Sequence, residues 1–402
     1  MPLTSEAASV GTRTVSTRAG AAGVVTLALF SAGHFCADLY SGALGALQPL
    51  IVERFGLSLA GAGILGGTLV WSSSVVQPLY GYLSDRFRTR LFAALGPGIA
   101  GVFISALGLA PSYGWLLLMV MLGGAGIASF HPQASAQATL HIERNRGRAM
   151  AVFISAGTLG YALGPAYFSV VAGRLGLDRM WWAAVPGILI TVMMLSILPP
   201  PAAGSRRRHS GFDWPALRAV WKPLTLLYAL VFIRSIVQIT FAQFIPLYLH
   251  RERGYSVPAA SLLLSAYLAF GALGGFVGGH LADRFGSRRI ITISMIGSVP
   301  FLAQFFFLDG WLSTLGLLLG GLILLFTIPV NVVMGQELVP SQAGTVSALM
   351  MGFAWGTAGL IFIPLTGWIS DRISLHYALM SLTAFPLAGF LLSLRLPHDG
   401  RP

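Results

Sequence analysis

The chain has 402 residues, of which 55% are hydrophobic and only 9% are charged. A soluble domain carries about 25% charged residues, so this composition excludes a soluble globular protein. The apolar residues occur in runs of about 20 or more, long enough for a helix to cross a hydrocarbon core of about 30 Å. The sequence therefore predicts an all-α membrane protein that lies in a lipid bilayer.

In chain order, the polar segment 1–20 is predicted to be a disordered cytoplasmic N-terminus. Twelve apolar runs then predict twelve transmembrane helices, with approximate bounds 22–50, 59–83, 91–110, 113–138, 146–173, 181–199, 221–249, 258–282, 289–308, 311–336, 343–369 and 374–394.

The longest polar connection, residues 200–220, is predicted to be a cytoplasmic linker. It divides the chain into an N-terminal six-helix bundle, residues 21–199, and a C-terminal six-helix bundle, residues 221–396. We expect the two bundles to be pseudo-symmetric.

The distribution of positive charge predicts the orientation. With the N-terminus in the cytoplasm, 18 of the 25 Lys and Arg residues lie in cytoplasmic segments, six lie in outer loops, and Arg234 lies within a span. Because cytoplasmic loops are enriched in Lys and Arg, both termini are predicted to be cytoplasmic. The net charge of +12 is then a signal of topology, and we expect no nucleic-acid partner.

The single cysteine, Cys36, excludes a multi-cysteine metal site, and we expect no metal and no cofactor.

The two halves of the sequence repeat each other. The motif GYLSDRFRTR at Gly81–Arg90 recurs as GHLADRFGSR at Gly279–Arg288, an offset of 198, and Pro132 corresponds to Pro329 at an offset of 197. Matches at nearly one spacing indicate an internal duplication.

The repeated motif follows spans 2 and 8 and predicts a conformational latch. Its carboxylate can accept hydrogen bonds from the N-terminus of a neighbouring helix, where the helix dipole favours negative charge. The alternative is a charged stop at the membrane surface. The predicted latch residues are Gly81, Asp85, Arg86, Arg90, Gly279, Asp283, Arg284 and Arg288.

Ionisable side chains within spans indicate function, because they are costly to place in a membrane. His34 and Asp38 lie four residues apart in span 1 and so on one helix face, and Arg234 lies in span 7. We expect Asp38 to carry a proton and Arg234 to face the same central cavity. The alternative is a structural ion pair that only fixes span 1 against span 7.

Prolines within spans predict kinks at Pro132, Pro165 and Pro329. Interrupted spans at matching positions of two halves point to the central site of a transporter. His131 and Gln133 flank Pro132, and we expect both to line the cavity, with His131 relaying a proton or contacting substrate. The alternative for His131 is a packing role.

The repeated loop motif and the layout of six plus six spans resemble the major facilitator superfamily. The first copy has Arg88 where glycine is usual, whereas the second copy keeps Gly286. In span 5, Gly160 and the pair Gly164-Pro165 resemble the antiporter motif of drug-exporting branches, although the glycine pair that usually follows is absent. The resemblance implies two six-helix bundles that transport by alternating access.

A closer resemblance is to the fosmidomycin-resistance branch of bacterial exporters. It rests on GHFCADLYSGALGALQPL, SSVVQPLYGYLSDR, SFHPQAS and MGQELVP, in this order along the chain. The matching residues are His34, Asp38, Gln77, His131, Gln336 and Glu337. The resemblance implies proton-driven efflux of small, drug-like, anionic compounds across the bacterial inner membrane.

Together these observations predict a drug/proton antiporter that acts as a monomer and is not an enzyme. The predicted proton-coupling residues are Asp38, His34 and His131. The predicted substrate-binding residues are Arg234, Gln238, Gln133, Gln77, Tyr161, Asn331 and Gln336. The alternatives are a proton symporter that imports a small organic anion and a membrane sensor that binds a ligand without transporting it.

Overall fold

The protein is helical throughout the part of the chain that the structure describes. A computed structural model describes residues 6–87, 89–140, 142, 145–198 and 213–397, with the backbone alone for residues 6–22 and Asp85. An α-helix satisfies its backbone hydrogen bonds internally, which a segment in the hydrocarbon core requires.

Eleven long helices are apolar enough to cross a membrane, and a shorter apolar helix, Leu91–Ser105, makes a twelfth in the described residues. We number them in chain order as α1, Gly23–Phe55; α2, Leu59–Ser84; α3, Leu91–Ser105; α4, Tyr113–Gln137; α5, Arg146–Leu175; α6, Leu177–Ile197; α7, Trp221–Arg253; α8, Val257–Phe285; α9, Ser287–Phe307; α10, Gly310–Leu338; α11, Pro340–Ser370; and α12, Leu375–Ser393. The prediction of twelve membrane helices is confirmed.

Helical residues also precede the first membrane span of each bundle. The helix of α1 reaches back to Glu6, into the segment predicted to be a disordered tail. A short helix, Trp214–Ala219, precedes α7 at the end of the predicted linker. Residues 1–5, Arg88, 141, 143–144, 199–212 and 398–402 lie outside the described residues, and they include most of the predicted linker.

Each bundle has its own apolar core, and large apolar side chains also cover the perimeter. Tyr40 and Phe130 are fully buried in the first bundle, and Phe241 and Tyr267 are fully buried in the second. On the outside, Trp311 exposes 72% of its surface. Water would not favour this exposed apolar surface, but lipid accepts it, so the perimeter fits a membrane environment.

The duplication seen in the sequence has a counterpart in the packing. A methyl group at Gly81, near the end of α2, would lie 3.5 Å from Pro132 of α4. A methyl group at Gly279, near the end of α8, would lie 3.5 Å from Pro329 of α10. The first glycine of each loop motif therefore packs on the intramembrane proline of its own half.

The prolines do not act alike. Helices α4 and α5 continue through Pro132 and Pro165. In α10 the α-helix stops at Leu324 and resumes at Thr327, with Pro329 in the first turn of the second part. The predicted kink at Pro329 thus coincides with an interruption of the helix, whereas Pro132 and Pro165 lie within continuous helices.

Glycines bring α1 and α5 into backbone contact. A Cβ atom at Gly160 would overlap the carbonyl oxygen of Phe35, and one at Gly164 would overlap the carbonyl oxygen of Leu39. Small residues permit this close approach of helices in membranes. The polar face of α1 that carries His34 and Asp38 is therefore fixed firmly against α5.

The two bundles pack on each other near one face of the membrane. We call it the outer face, because the arginine distribution predicts that its loops, 56–58, 254–256 and 371–374, lie outside. Here α1 packs on α7, where a Cβ atom at Gly45 would overlap the carbonyl oxygen of Ala242. Helix α2 packs on α11, and α5 packs on α8.

Toward the opposite, inner face, the segment Gln77–Phe87 packs chiefly on α4 of its own bundle. The outer face is therefore the closed one.

The contact between α1 and α5 predicts a difference between two glycines of α5. Gly160→Ala should destabilise the protein by about 1–3 kcal/mol, because the added methyl group overpacks a backbone contact. Gly173→Ala is the matched control, since nothing lies within 4 Å of the added methyl group. Thermal unfolding in detergent measures both. Equal melting temperatures for the two variants would contradict this account of the interface.

Candidate functional site

The Asp38 carboxylate lies between two histidine rings inside the first bundle. Its Oδ2 is 3.3 Å from Nε2 of His34, one turn earlier on α1. Its Oδ1 is 3.1 Å from Nε2 of His131 on α4. The structure thus brings together the three residues predicted to couple protons. We call His34, Asp38 and His131 the carboxylate–histidine triad.

The other ring nitrogen of each histidine bonds to the backbone. His34 Nδ1 lies 2.8 Å from the carbonyl oxygen of Phe153, and His131 Nδ1 lies 2.8 Å from that of Ile127. A carbonyl oxygen can only accept a hydrogen bond, so each Nδ1 must carry the hydrogen. In a neutral ring, Nε2 then has a lone pair that points toward the carboxylate.

This arrangement favours extra protons. With both rings neutral and Asp38 ionised, nitrogen lone pairs face carboxylate oxygens in both contacts, which is repulsive. One added proton turns one contact into a charge-assisted hydrogen bond, and a second proton does the same for the other. Because the three side chains are largely shielded from water, little solvent is present to relieve the repulsion. The arrangement of the triad therefore favours the uptake of a proton between Asp38 and a histidine ring.

Aromatic rings and a glycine shape the space around His34. The ring of His34 stacks on Phe153 with centroids 4.3 Å apart and meets His131 edge-on at 5.1 Å. A Cβ atom at Gly157 would overlap the His34 ring. Gly157 on α5 therefore makes the room in which His34 can reach Asp38.

A buried cation lies in the second bundle. Arg234 on α7 is only 5% exposed, and its Nη1 donates to Oε1 of Gln238 at 2.5 Å. Its Nε has no hydrogen-bond partner. Among the described residues, no salt bridge joins Arg234 to a carboxylate, Asp38 included. A buried charge without a counter-ion is costly, which points to a bound anion.

A cavity of about 160 Å³ lies beside Arg234 and Gln238. Its other lining residues are apolar or aromatic: Val231, Ile328, Val332, Met350, Met351 and Trp355. One cationic group in an apolar cavity suits a small amphipathic anion, with the charge at Arg234 and the apolar part against Trp355.

A second, smaller space lies between the bundles, and Trp355 borders both spaces. Tyr161 of α5 and Gln243 of α7 line this smaller space, which measures about 20 Å³. Nε2 of Gln243 is buried without a hydrogen-bond partner. Tyr161 therefore lies at the interface of the bundles, beyond the cavity beside Arg234.

Gln133 lies away from both spaces, although we expected it to line the cavity. Its Oε1 accepts a hydrogen bond from the backbone nitrogen of Ala93 at 2.8 Å, and its Nε2 donates to the carbonyl oxygen of Thr89. Both ends of the amide thus bind the backbone at the start of α3. This geometry gives Gln133 a structural contact between α4 and α3.

The other predicted substrate-binding amides are dispersed. Gln77 donates to the carbonyl oxygen of Ser73 at 2.8 Å, and Gln336 donates to Oγ of Ser347 at 2.7 Å. Asn331 is buried, and neither atom of its amide group has a partner. Of the predicted substrate set, the structure brings Arg234 and Gln238 together at one cavity and places Tyr161 at the neighbouring space.

Two arginines of the predicted inner latch each donate a hydrogen bond within their own bundle. Arg86 donates to the Tyr82 hydroxyl at 3.3 Å within its own bundle, and Arg288 donates to the carbonyl oxygen of Leu394 at 2.7 Å within the other. Asp283 and Arg284 are exposed, and Arg90 is half-buried. The side chain of Asp85 lies outside the described part of the chain.

Sequence reasoning missed several residues that shape the site. The carbonyl oxygens of Phe153 and Ile127 leave no trace in a side-chain pattern. Tyr267 is a lone tyrosine in an apolar helix, yet its hydroxyl is buried without a partner in the second bundle. Gly157, in contrast, is predicted from the sequence, because it lies on one helix face with Gly160 and Gly164 and allows close packing there.

The geometry predicts the hydrogen positions of the triad. Nitrogen NMR of ¹⁵N-histidine-labelled protein should show hydrogen on Nδ1 of both His34 and His131. Because the chain has 8 histidines, His34→Gln and His131→Gln variants assign the two signals. A ring that carries hydrogen only on Nε2 would contradict the assignment.

Comparison with known proteins agrees with this architecture. The family model of the Major Facilitator Superfamily matches residues 30–362. The fosmidomycin resistance protein of Escherichia coli K12 is 28% identical over 380 residues, which cover 93% of each chain. The transporter YfnC of Bacillus subtilis, which is uncharacterised, is 30% identical over 376 residues, which cover 91% of each chain.

Solved structures share the fold. A bacterial homologue of the human lysosomal transporter Spinster, in an inward-facing, unoccupied conformation, superposes with a TM-score of 0.77 at 18% identity, covering 94% of this chain and 99% of the other. The nucleoside transporter NupG gives a TM-score of 0.74 at 13% identity, covering 92% of this chain and 98% of the other. The matching family model, the twelve helices and the duplicated bundles lead to one conclusion: the chain belongs to the Major Facilitator Superfamily, whose members transport small molecules across membranes.

Proposed function

We propose that the protein is a drug/proton antiporter that exports small, amphipathic organic anions from the bacterial cytoplasm by alternating access. The observation that carries the proposal is the carboxylate of Asp38 held between two imidazole Nε2 atoms. The buried Arg234 beside an apolar cavity supports the anionic substrate.

The proton is bound by the carboxylate–histidine triad. When the triad is open to an acidic compartment, a proton enters between Asp38 and a histidine Nε2 and removes a repulsive contact. When the triad is open to a less acidic compartment, the proton leaves. Because the backbone holds both rings through Nδ1, the rings keep their places in both protonation states.

The substrate anion is bound by Arg234. Gln238 already occupies Nη1, so the edge that carries Nε remains for the substrate. A carboxylate or phosphonate group can accept two parallel hydrogen bonds from a guanidinium. Trp355 and the two methionines, Met350 and Met351, then contact the apolar part of the substrate.

Export is the proposed direction because the chain is similar along most of its length to the fosmidomycin resistance protein of Escherichia coli. The inner membrane is the proposed location for the same reason, with both termini in the cytoplasm as the arginine distribution predicts. Each bundle holds one of the two sites, so a single chain suffices, and we propose that the monomer is the functional unit.

Replacement of the proton carrier tests the coupling. Asp38→Asn should abolish the accumulation of fosmidomycin, used as the probe, in everted vesicles with an acidic interior, because an amide cannot exchange this proton. Glu53→Gln is the matched control, since this exposed carboxylate lies at the end of the same span. The control should accumulate the probe like the unchanged protein.

Two results would contradict the coupling. Accumulation by the Asp38→Asn variant would mean that another group carries the proton. Depletion of the probe from acidic everted vesicles that carry the unchanged protein would indicate symport and import.

Replacement of the buried cation tests the anion site. Arg234→Gln should raise the half-saturating probe concentration by at least about tenfold, because hydrogen bonds to charged groups contribute about 1.5–3 kcal/mol. Arg234→Lys should give a smaller rise, since lysine keeps the charge but cannot form the bidentate hydrogen bonds of a guanidinium. Arg251→Gln, at the exposed end of the same helix, is the control. An unchanged half-saturating concentration in Arg234→Gln would remove Arg234 from the site.

A further inference from the structure

A single carboxylate joins the two bundles at the outer face in the described residues. Asp371, directly after α11, accepts hydrogen bonds from the backbone nitrogens of Leu59 and Ala60 at the start of α2. Both distances are 2.8 Å, with one nitrogen on each carboxylate oxygen. Asp371 thus holds two residues that precede it in the sequence by 312 and 311 positions.

The two bonds complete the N-terminal cap of α2. The first four N–H groups of a helix have no partner within it. Ser58 caps one of them, since its side chain accepts from Gly61 at 3.0 Å, while its carbonyl oxygen accepts the first bond of the helix itself, from Ala62 at 3.0 Å. Asp371 accepts from two more, the N–H groups of Leu59 and Ala60. The carboxylate also lies at the positive end of the helix dipole, which strengthens the contact.

Below the cap, glycines of α2 and α11 contact the facing helix closely. These contacts require the alignment of the two helices that the cap holds. A Cβ atom at Gly63 would lie 2.7 Å from the carbonyl oxygen of Ile363, and one at Gly67 would lie 2.8 Å from the ring of Pro364. On the other helix, a Cβ atom at Gly367 would overlap the carbonyl oxygen of Leu59. The backbones of α2 and α11 therefore approach each other closely at the outer face, with the ring of Pro364 packed against Gly67.

The clasp exists on one side of the pseudo-symmetry axis only. At an offset of 197, the position that corresponds to Asp371 is Arg174, at the end of α5, and a cation cannot accept hydrogen bonds from a helix N-terminus. There, α5 and α8 are joined by a bond from the backbone nitrogen of Ala166 to Ser265 Oγ at 2.9 Å. The two sides of the outer seal therefore differ, and the charged contact lies between α2 and α11.

We propose that Asp371 is a clasp that holds the outer face closed and must release α2 before the protein opens outward. When it releases, the Asp371 carboxylate and the N–H groups of Leu59 and Ala60 pass to water, because all of them lie at the membrane surface. Release is therefore far less costly than the exposure of a buried ion pair. The proposal concerns the gate, and it holds whatever ion or substrate the protein moves.

The test measures how often the outer seal opens. Cys36→Ala removes the sole cysteine, and Ile363→Cys then places a reporter that is fully buried in the seal. Adding Asp371→Ala should raise the rate of maleimide labelling of purified protein about tenfold, because hydrogen bonds to a charged group are lost. Asp371→Asn keeps one acceptor oxygen and should give an intermediate rate, and it replaces the alanine variant if that variant does not fold.

Glu252→Ala is the matched control. Glu252 accepts hydrogen bonds from the backbone nitrogens of Leu375 and His376 at the start of α12, on the same face but within one bundle. Its loss should lower the melting temperature and leave the labelling rate unchanged. Equal labelling rates with and without Asp371 would overturn the proposal, and so would an equal rise in the Glu252→Ala control. Because no proton gradient or substrate is used, these results are independent of the tests of antiport.

Discussion

The site depends on the placement of one carboxylate between two imidazole rings whose other nitrogens are tied to backbone carbonyls. The bonds from Nδ1 to Phe153 and Ile127 fix which nitrogen of each ring faces Asp38. Without them, each ring could present an Nε2–H to the carboxylate while neutral, and no additional proton would be needed. The backbone of α4 and α5 thus orients the two rings that face a carboxylate on α1. The position of the His34 ring also requires a glycine on α5, since a larger residue at Gly157 would overlap the ring.

The closed outer face describes one state of the protein. At the outer face, Asp371 binds the start of α2. At the inner face, Asp283 is exposed, and Arg86 and Arg288 each donate a hydrogen bond within their own bundle. The inner latch predicted from the sequence uses the same chemistry as the clasp, a carboxylate at a helix N-terminus. We infer that they close alternately, because one rigid pair of bundles cannot approach at both faces at once.

Local sequence rules predicted the elements and one part of the site. Apolar runs placed the twelve spans within about five residues at each end, and the four-residue spacing placed His34 beside Asp38. Contacts between distant segments were beyond such rules. The Gln133 side chain binds the backbone at the start of α3, and Arg234 lines a cavity that does not include Asp38. The sequence could not show this, because the packing of the helices decides which helix faces meet. Asp371 gave no signal at all, since an acidic residue in a loop is common and its partners are backbone groups.

The separation of the two sites has a consequence for coupling. The triad belongs to the first bundle and Arg234 to the second, with no ion pair between them in the described residues. On the proposed assignment of the proton to Asp38 and of the substrate to Arg234, the two do not compete for the same atoms. The proposed coupling then runs through the interface between the bundles, where Tyr161 and Trp355 both line the small central space. The buried Gln243 amide nitrogen at this space has no hydrogen-bond partner, and neither has the buried Tyr267 hydroxyl in the second bundle. Groups that lack partners in one state favour movement to a state that supplies them, so these side chains can link protonation in one bundle to rearrangement against the other.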